Sequence, residues 1–163
     1  MSVSLVKAYL APFGLENRVR EFDVSSATVE LAAQAVGVIP ARITKTLSFL
    51  VGDSAILVAC AGDTKVDNHK FKERFGCKAK MLNAEQVIRF TGHAIGGVCP
   101  FALPERGVKT YLDVSMRRFE TVFPAAGSAN SAVELTCEEL ERCADRFDGW
   151  VDVCKGWENS PGA

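Results

Sequence analysis

The stretch from Ile43 to Ala61 constrains the fold more than any other. Two runs rich in apolar and β-branched residues, Ile43 to Val51 and Ala55 to Ala61, flank Gly52-Asp53, a pair suited to a hairpin turn with positive φ at the glycine. Along the first strand, side chains alternate between faces. Ile43, Lys45, Leu47, Phe49 and Val51 therefore share one face, and Thr44, Thr46 and Ser48 the other. Lys45 thus sits among apolar neighbours. Its ammonium either reaches out at the strand end or lies in a pocket where scarce water strengthens its pull on a developing negative charge; the strand alone leaves both open.

Around this hairpin the pattern predicts short, irregularly mixed elements. Val3, Val6, Ala8, Leu10 and Phe13 recur at mostly helical spacing ahead of Gly14, and a short strand follows over Arg18 to Phe22. Ser25-Ser26 offers caps for a second helix that Gly37 and Pro40 close. A helix from Asp67 to Phe75, stopped by Gly76, precedes a strand over Lys78 to Leu82 and a helix capped by Asn83 and Gln86 that ends near Gly92. Strands follow near Thr110–Asp113 and Thr121–Ala125, then a helix opened by the Thr136/Glu139 capping box and a closing strand at Trp150–Cys154. This mixture predicts an α+β fold, a single compact domain around a mixed sheet rather than strict βαβ alternation.

Composition narrows the function classes. With 163 residues, 48% hydrophobic and 24% charged, the chain suits one globular domain and excludes disordered or collagen-like classes. Residues 1–158 are expected to form that domain and 159–163 a C-terminal tail. The longest apolar runs fall short of the roughly 20 residues of a membrane helix and the N-terminus lacks a signal-peptide pattern, so the expected location is cytoplasmic, with no membrane partner. A formal charge of −1 argues against nonspecific coating of nucleic acid, and no DNA partner is expected. Charge is uneven, however: Lys65 to Lys80 is mostly basic, and Glu134 to Glu158 mostly acidic. Such runs form either opposite poles that orient an anionic ligand or solvated helix faces.

Few residues offer chemistry. Six cysteines occur without a Cys-x-x-Cys pair and with only two histidines, so no metal site is proposed and reduced, mostly buried thiols are expected. His69 and His93 lie in separate segments without a Gly-x-Ser-x-Gly nucleophile signature, which gives a hydrolase triad little support. Thr91-Gly-His-Ala-Ile-Gly-Gly-Val-Cys-Pro-Phe101 is a loop whose adjacent glycines let backbone approach a ligand, or simply make turns, and whose Pro100 stiffens the exit. Ala125-Ala-Gly-Ser-Ala-Asn-Ser131 is a small-residue loop whose amides and polar side chains either bind a polar ligand or connect a hairpin.

Three segments together, Ile43-Thr-Lys-Thr-Leu47, the Gly96 to Pro100 loop within Thr91–Phe101, and Gly127-Ser-Ala-Asn-Ser-Ala-Val-Glu-Leu135, resemble the YbaK/prolyl-tRNA synthetase-associated editing-domain family, in the family's order and over nearly the whole chain. The resemblance implies a YbaK-like fold with a curved, partly barrel-like mixed sheet and surrounding helices. It also implies a freestanding enzyme that hydrolyses the ester joining a wrong amino acid to tRNA. By resemblance Lys45 is the essential lysine. Gly96, Gly97 and Val98 match the loop that accommodates the aminoacyl group, Pro100 fixes its shape, and Thr46 lines the same pocket. Gly127, Ser128, Asn130 and Ser131 of the late loop are further candidates for substrate contact.

No cofactor is expected, because an aminoacyl ester is already activated and needs only a positioned nucleophile and a stabilised oxyanion. Mischarged tRNA is the expected partner, with a synthetase as a second, and Lys65, Lys70, Lys72 and Arg74 are candidates for the acceptor-stem contact. Arg20, Ala125 and Ala132 stand where the cysteinyl-tRNA deacylase branch has tyrosine, serine and aspartate, so the amino acid cleared, of the alanine, cysteine, serine or threonine class, stays open. A noncatalytic tRNA- or synthetase-binding module of the same fold is the alternative. A thiol-dependent redox protein is a third reading, resting on the cysteine count alone.

Overall fold

The computed structural model describes residues 2–158; the predicted tail, 159–163, lies outside the described residues. The predicted hairpin is its centre. Strands β2 (Ile43–Val51) and β3 (Ser54–Ala61) pair antiparallel from Thr44↔Ala61 to Val51↔Ser54, through a turn in which Gly52 has φ +63°. Around them β5 (Lys109–Asp113), β6 (Thr121–Pro124), β8 (Leu135–Thr136) and β9 (Phe147–Val151) complete a six-stranded sheet in the order β8-β6-β2-β3-β5-β9. The sheet is mixed and curled: β6/β2, β3/β5 and β5/β9 are parallel, β2/β3 and β6/β8 antiparallel. Two small ladders flank it, β1 (Val19–Glu21) on β7 (Ser131–Val133) and β4 (Lys65–Val66) on β10 (Cys154–Lys155).

Alternation on the hairpin sorts the core into two sides. Leu47, Phe49 and Val51 of β2 join Ile56, Val58 and Cys60 of β3 and Phe71 of helix α3 (Asn68–Phe75). On the other side, Leu50, Ala55 and Leu57 pack under α4 (Ala84–Thr91), through Val87 and Phe90. Further along the same side Ala59 and Ala61 meet Val6 and Leu10 of α1 (Ser2–Leu10) and Leu140 of α5 (Cys137–Cys143). Ile43 leaves the pattern and packs with Phe123 and with Ala32 and Ala33 of α2 (Val29–Val36), at the end where β6 joins the sheet.

Local signals set most element ends. Both predicted capping boxes, Asn83/Gln86 and Thr136/Glu139, are formed, and Gly14, Gly37, Gly76 and Gly92 close their segments in the left-handed conformation. Three expectations shift. The cap of α2 is Thr28, whose hydroxyl accepts from Leu31 N, rather than Ser25 or Ser26, because Ser26 is buried and its N–H is bonded to Ala129 O at 2.6 Å. Lys78 to Leu82 makes one bridge, Phe49↔Met81, instead of a strand, because Asn83 immediately turns the chain into α4. The closing strand starts earlier, at Phe147, and breaks after Val151, where Val153 N donates to the buried carboxylate of Asp113 at 2.9 Å; Cys154 then pairs with β4 instead.

All six cysteines are free, and Cys60, Cys99, Cys143 and Cys154 are buried. Among the described residues no helix is long and apolar enough to cross a membrane and no cluster of metal-ligating side chains occurs. Because the Asn83 cap orients α4 against the hairpin, Asn83→Ala is expected to lower unfolding free energy by about 1 kcal/mol, read as a shifted urea midpoint at unchanged slope.

Candidate functional site

A cavity of about 300 Å³ opens against β2, floored by residues Ile43 to Ser48. Val29 and Ala32 of α2 wall one side, Leu82 and Val87 the α4 side. Ile95, Gly96 and Val98 of the glycine loop form a third wall, and Phe123, Ala125, Ser131 and Ala132 a fourth. At the rim, Met81 and Ile95 are 59% and 66% exposed.

The cavity exists because the outer edge of β2 is paired only at its ends. Parallel pairing with β6 stops at Thr44↔Pro124, and the next contact is the Phe49↔Met81 bridge, held by Leu82 N→Ser48 O and Leu50 N→Lys80 O. Among the described residues no strand lies against that edge between them. Ladder alternation turns the N–H and C=O of Ser48 and Leu50 outward, and the same parity turns those of Thr46 outward, into the gap. Thr46 Oγ1 is likewise buried with no hydrogen-bond partner.

Lys45 is the one charged residue lining this cavity among the described residues. It is half-buried, stands opposite Cys60 in the β2/β3 register, and donates from Nζ to Thr64 O. Two of its three N–H donors remain for a ligand. The Cys60 thiol is held below its ordinary pKa, first by a hydrogen bond from Cys154 and then, against burial, by Thr64 and the Lys45 ammonium. Cys60 is nevertheless wholly buried and does not line the cavity, so it is not placed to act as a nucleophile.

The glycine loop looks, at first sight, like a Cys–His pair. Cys99 Sγ lies 3.5 Å from His93 Nε2, and both side chains are fully buried. Burial pushes the Cys99 thiol up to about 12 and His93 below its ordinary value, and His93 Nε2 sits 2.9 Å from Phe101 O. A neutral imidazole donating from Nε2 to that carbonyl ties the two ends of the loop together; the pair is structural. Gly97 serves packing rather than ligand approach: a Cβ there would lie 2.7 Å from Ser128 N and 2.9 Å from Gly127 C. The two loops singled out in the sequence are thereby pressed backbone to backbone.

Of the sequence candidates, Lys45, Thr46, Gly96, Val98 and Ser131 meet at the cavity, while Gly97, Pro100, Gly127, Ser128 and Asn130 do not line it. Ser128 bonds Asn130 and Ser131, Asn130 Nδ2 donates to Phe22 O, and Pro100 O accepts from Asp145 N. Of the three positions compared with the cysteinyl branch, Ala125 and Ala132 line the cavity, and Arg20, which does not, faces Ala132 in the β1/β7 ladder. Lys65, Lys70, Lys72 and Arg74 do not line it: Lys70 pairs with Asp152, and Arg74 lies over Phe75 and Tyr111. As cavity residues Ser26, Val87 and Phe123 are missing from the sequence candidates: Ser26 carries the signal of a helix cap, and Val87 and Phe123 fall within a predicted helix and a predicted strand.

Two outcomes follow. Gly97→Ala is expected to cost about 1–3 kcal/mol of stability by forcing the two loops apart, measured by urea unfolding. For His93, burial holds the folded-state pKa below the ordinary value near 6.5, so as the pH falls through that value the unfolded chain takes up the proton first. Its contribution is therefore complete above that pH and is lost on acidification, by at most about 1.4 kcal/mol per pH unit; His93→Gln is expected to flatten the stability profile below about pH 6.5.

Comparison with known proteins identifies the fold and the family. The chain is 52% identical over 160 residues to the uncharacterized protein YwhH of Bacillus subtilis (strain 168), covering 97% of this chain and all of that one. A solved structure of a candidate trans-editing enzyme for prolyl-tRNA synthetase superposes with a TM-score of 0.83 at 29% identity, over 95% of this chain and 98% of the other. The hypothetical protein APE2540 does so with a TM-score of 0.80 at 26% identity, over 93% and 99%. Residues 23–143 match the model of the aminoacyl-tRNA editing domain, so the chain belongs to the aminoacyl-tRNA editing domain family.

Proposed function

We propose that this protein is a trans-acting deacylase that hydrolyses the ester of a tRNA mischarged with a small, uncharged amino acid. One observation carries the reading: a single charged residue, Lys45, in the lining of an otherwise uncharged cavity beside an unpaired strand edge. In hydrolysis a water oxygen bonds to the ester carbonyl carbon, the carbonyl oxygen takes up negative charge, and the bond to the ribose oxygen breaks as that oxygen takes the proton. What the site supplies is charge stabilisation and position, which suffice for an activated ester. Lys45 stabilises the charge. The walls set the class of amino acid: Val29, Ala32, Val87 and Phe123 offer no counter-ion to a charged side chain, while about 300 Å³ leaves little room beyond a small one and part of the ribose. This is the alanine, cysteine, serine and threonine range.

Lys65 and Lys72, exposed on β4 and α3, lie on the segment that begins at Lys45's acceptor, Thr64, and are the proposed contacts to acceptor-stem phosphates, with synthetase delivery supplementing a chain of nearly neutral charge. In single-turnover deacylation of tRNA carrying alanine, serine, threonine or cysteine, Lys45→Ala is expected to lower the rate at least about 100-fold while unfolding unchanged in urea. A fully active variant removes the mechanism. Tight tRNA binding by wild type without turnover would indicate the noncatalytic module instead.

A further inference from the structure

The gap in β2's outer edge is one residue wide. Thr44 is paired with Pro124 on one side of it, and Ser48 O is taken by Leu82 N on the other. Between them only Thr46 turns both main-chain groups outward. In an antiparallel sheet, two directly opposed residues of the hydrogen-bonded kind exchange both N–H···O=C bonds, so what completes such a gap is a single residue's nitrogen and carbonyl. An aminoacyl ester carries that pair and no more. A half-buried strand edge whose Thr46 N–H and C=O face the gap, beside a buried hydroxyl without a partner, Thr46 Oγ1, is a place where a ligand makes hydrogen bonds that the fold leaves open.

We propose that Thr46 reads the amino-acid backbone of the substrate as one rung of an antiparallel ladder. The proposal rests on the reading of this cavity as a site for aminoacyl esters. Thr46 C=O accepts from the substrate's α-ammonium, and Thr46 N–H donates to the ester carbonyl oxygen. That N–H stays on the same oxygen as it gains negative charge in the tetrahedral intermediate, so it is an oxyanion donor alongside Lys45.

Orientation follows from the neighbouring segment. Lys80 to Leu82 runs antiparallel to β2, and the ligand takes the next rung in the same sense, its nitrogen toward Leu82 and its ester toward Pro124. Directly opposed residues put their side chains on one face, so an L-amino acid's side chain shares the face of Thr46, where Leu82, Val87 and Val98 line the cavity. Nothing can be added to the substrate nitrogen without meeting Leu82. The site therefore recognises a free aminoacyl group and rejects a peptidyl or N-acylated one, which protects esters that carry a growing chain.

The test compares wild-type hydrolysis of L-alanyl- and L-seryl-tRNA with their N-acetyl forms, and follows Thr46 amide hydrogen exchange with a non-hydrolysable analogue, 3′-(L-alanylamino)-3′-deoxyadenosine. The expected results are a fall of about 10- to 100-fold in kcat/KM on acetylation and at least a tenfold slowing of exchange at Thr46 when the analogue binds. Lys45 and Leu47 amides, turned by parity toward β3, are expected to change little. Free esters cleaved no faster than acetylated ones, with Thr46 unprotected by bound analogue, overturn the pairing and leave the deacylase reading standing. No cleavage of any ester and no binding of the analogue remove the aminoacyl reading and the pairing with it.

Discussion

Strand β2 is hydrogen-bonded along the whole of one edge and only at the two ends of the other. Much of the site follows from that asymmetry. β6 meets β2 for two residues and ends at Pro124, after which the chain turns away as a small-residue loop. From the other end, Leu82 makes its bond to Ser48 and Asn83 immediately caps a helix. An unpaired main-chain group costs about 1–3 kcal/mol where water cannot reach it, so an edge left open in this way has to face a cavity that water or a ligand can enter. The helices α2 and α4 and the glycine loop then roof it.

The same hairpin explains why a lysine stands at the cavity. β3 ties Lys45 opposite Cys60, and Thr64, just past the end of β3, offers a carbonyl to its ammonium. The charge is held in place before any ligand arrives, which is the condition under which an electrostatic contribution to catalysis needs no reorganisation. The nucleophiles nearby are withdrawn from the chemistry: Cys60 is sealed within the core, Cys99 is neutral by burial, and His93 is engaged by Phe101 O. What is left is one cation, backbone amides and hydroxyls in a small uncharged space, a set suited to an ester that is already reactive.

Much of this was legible in the sequence where the signal is local. The Gly52-Asp53 turn, the two capping boxes and the glycine stops depend on a few adjacent residues, and period-2 alternation placed Leu47, Phe49 and Val51 on one side. The tertiary parts were not legible. Ser26 looks like a cap, but Ala129, far along the chain, takes its N–H; Lys78 to Leu82 looks like a strand, but the cap at Asn83 leaves room for one bridge. Gly96 and Gly97 read together in the sequence as room for a ligand or as turns, yet Gly97 is required by the backbone of Gly127 and Ser128. Lys45 stood out because a charge broke an apolar face. Thr46 came only through the family resemblance, since its distinction is an absent neighbour, which depends on where two remote segments stop.

The most direct measurement is a crystal structure of the protein with a non-hydrolysable aminoacyl adenosine. The account predicts the aminoacyl group between Thr46 and the Gly96–Val98 loop, with the Lys45 ammonium facing its carbonyl oxygen. An aminoacyl group seated elsewhere, on the Lys65 to Arg74 surface or over the rim with the β2 edge still empty, would contradict it.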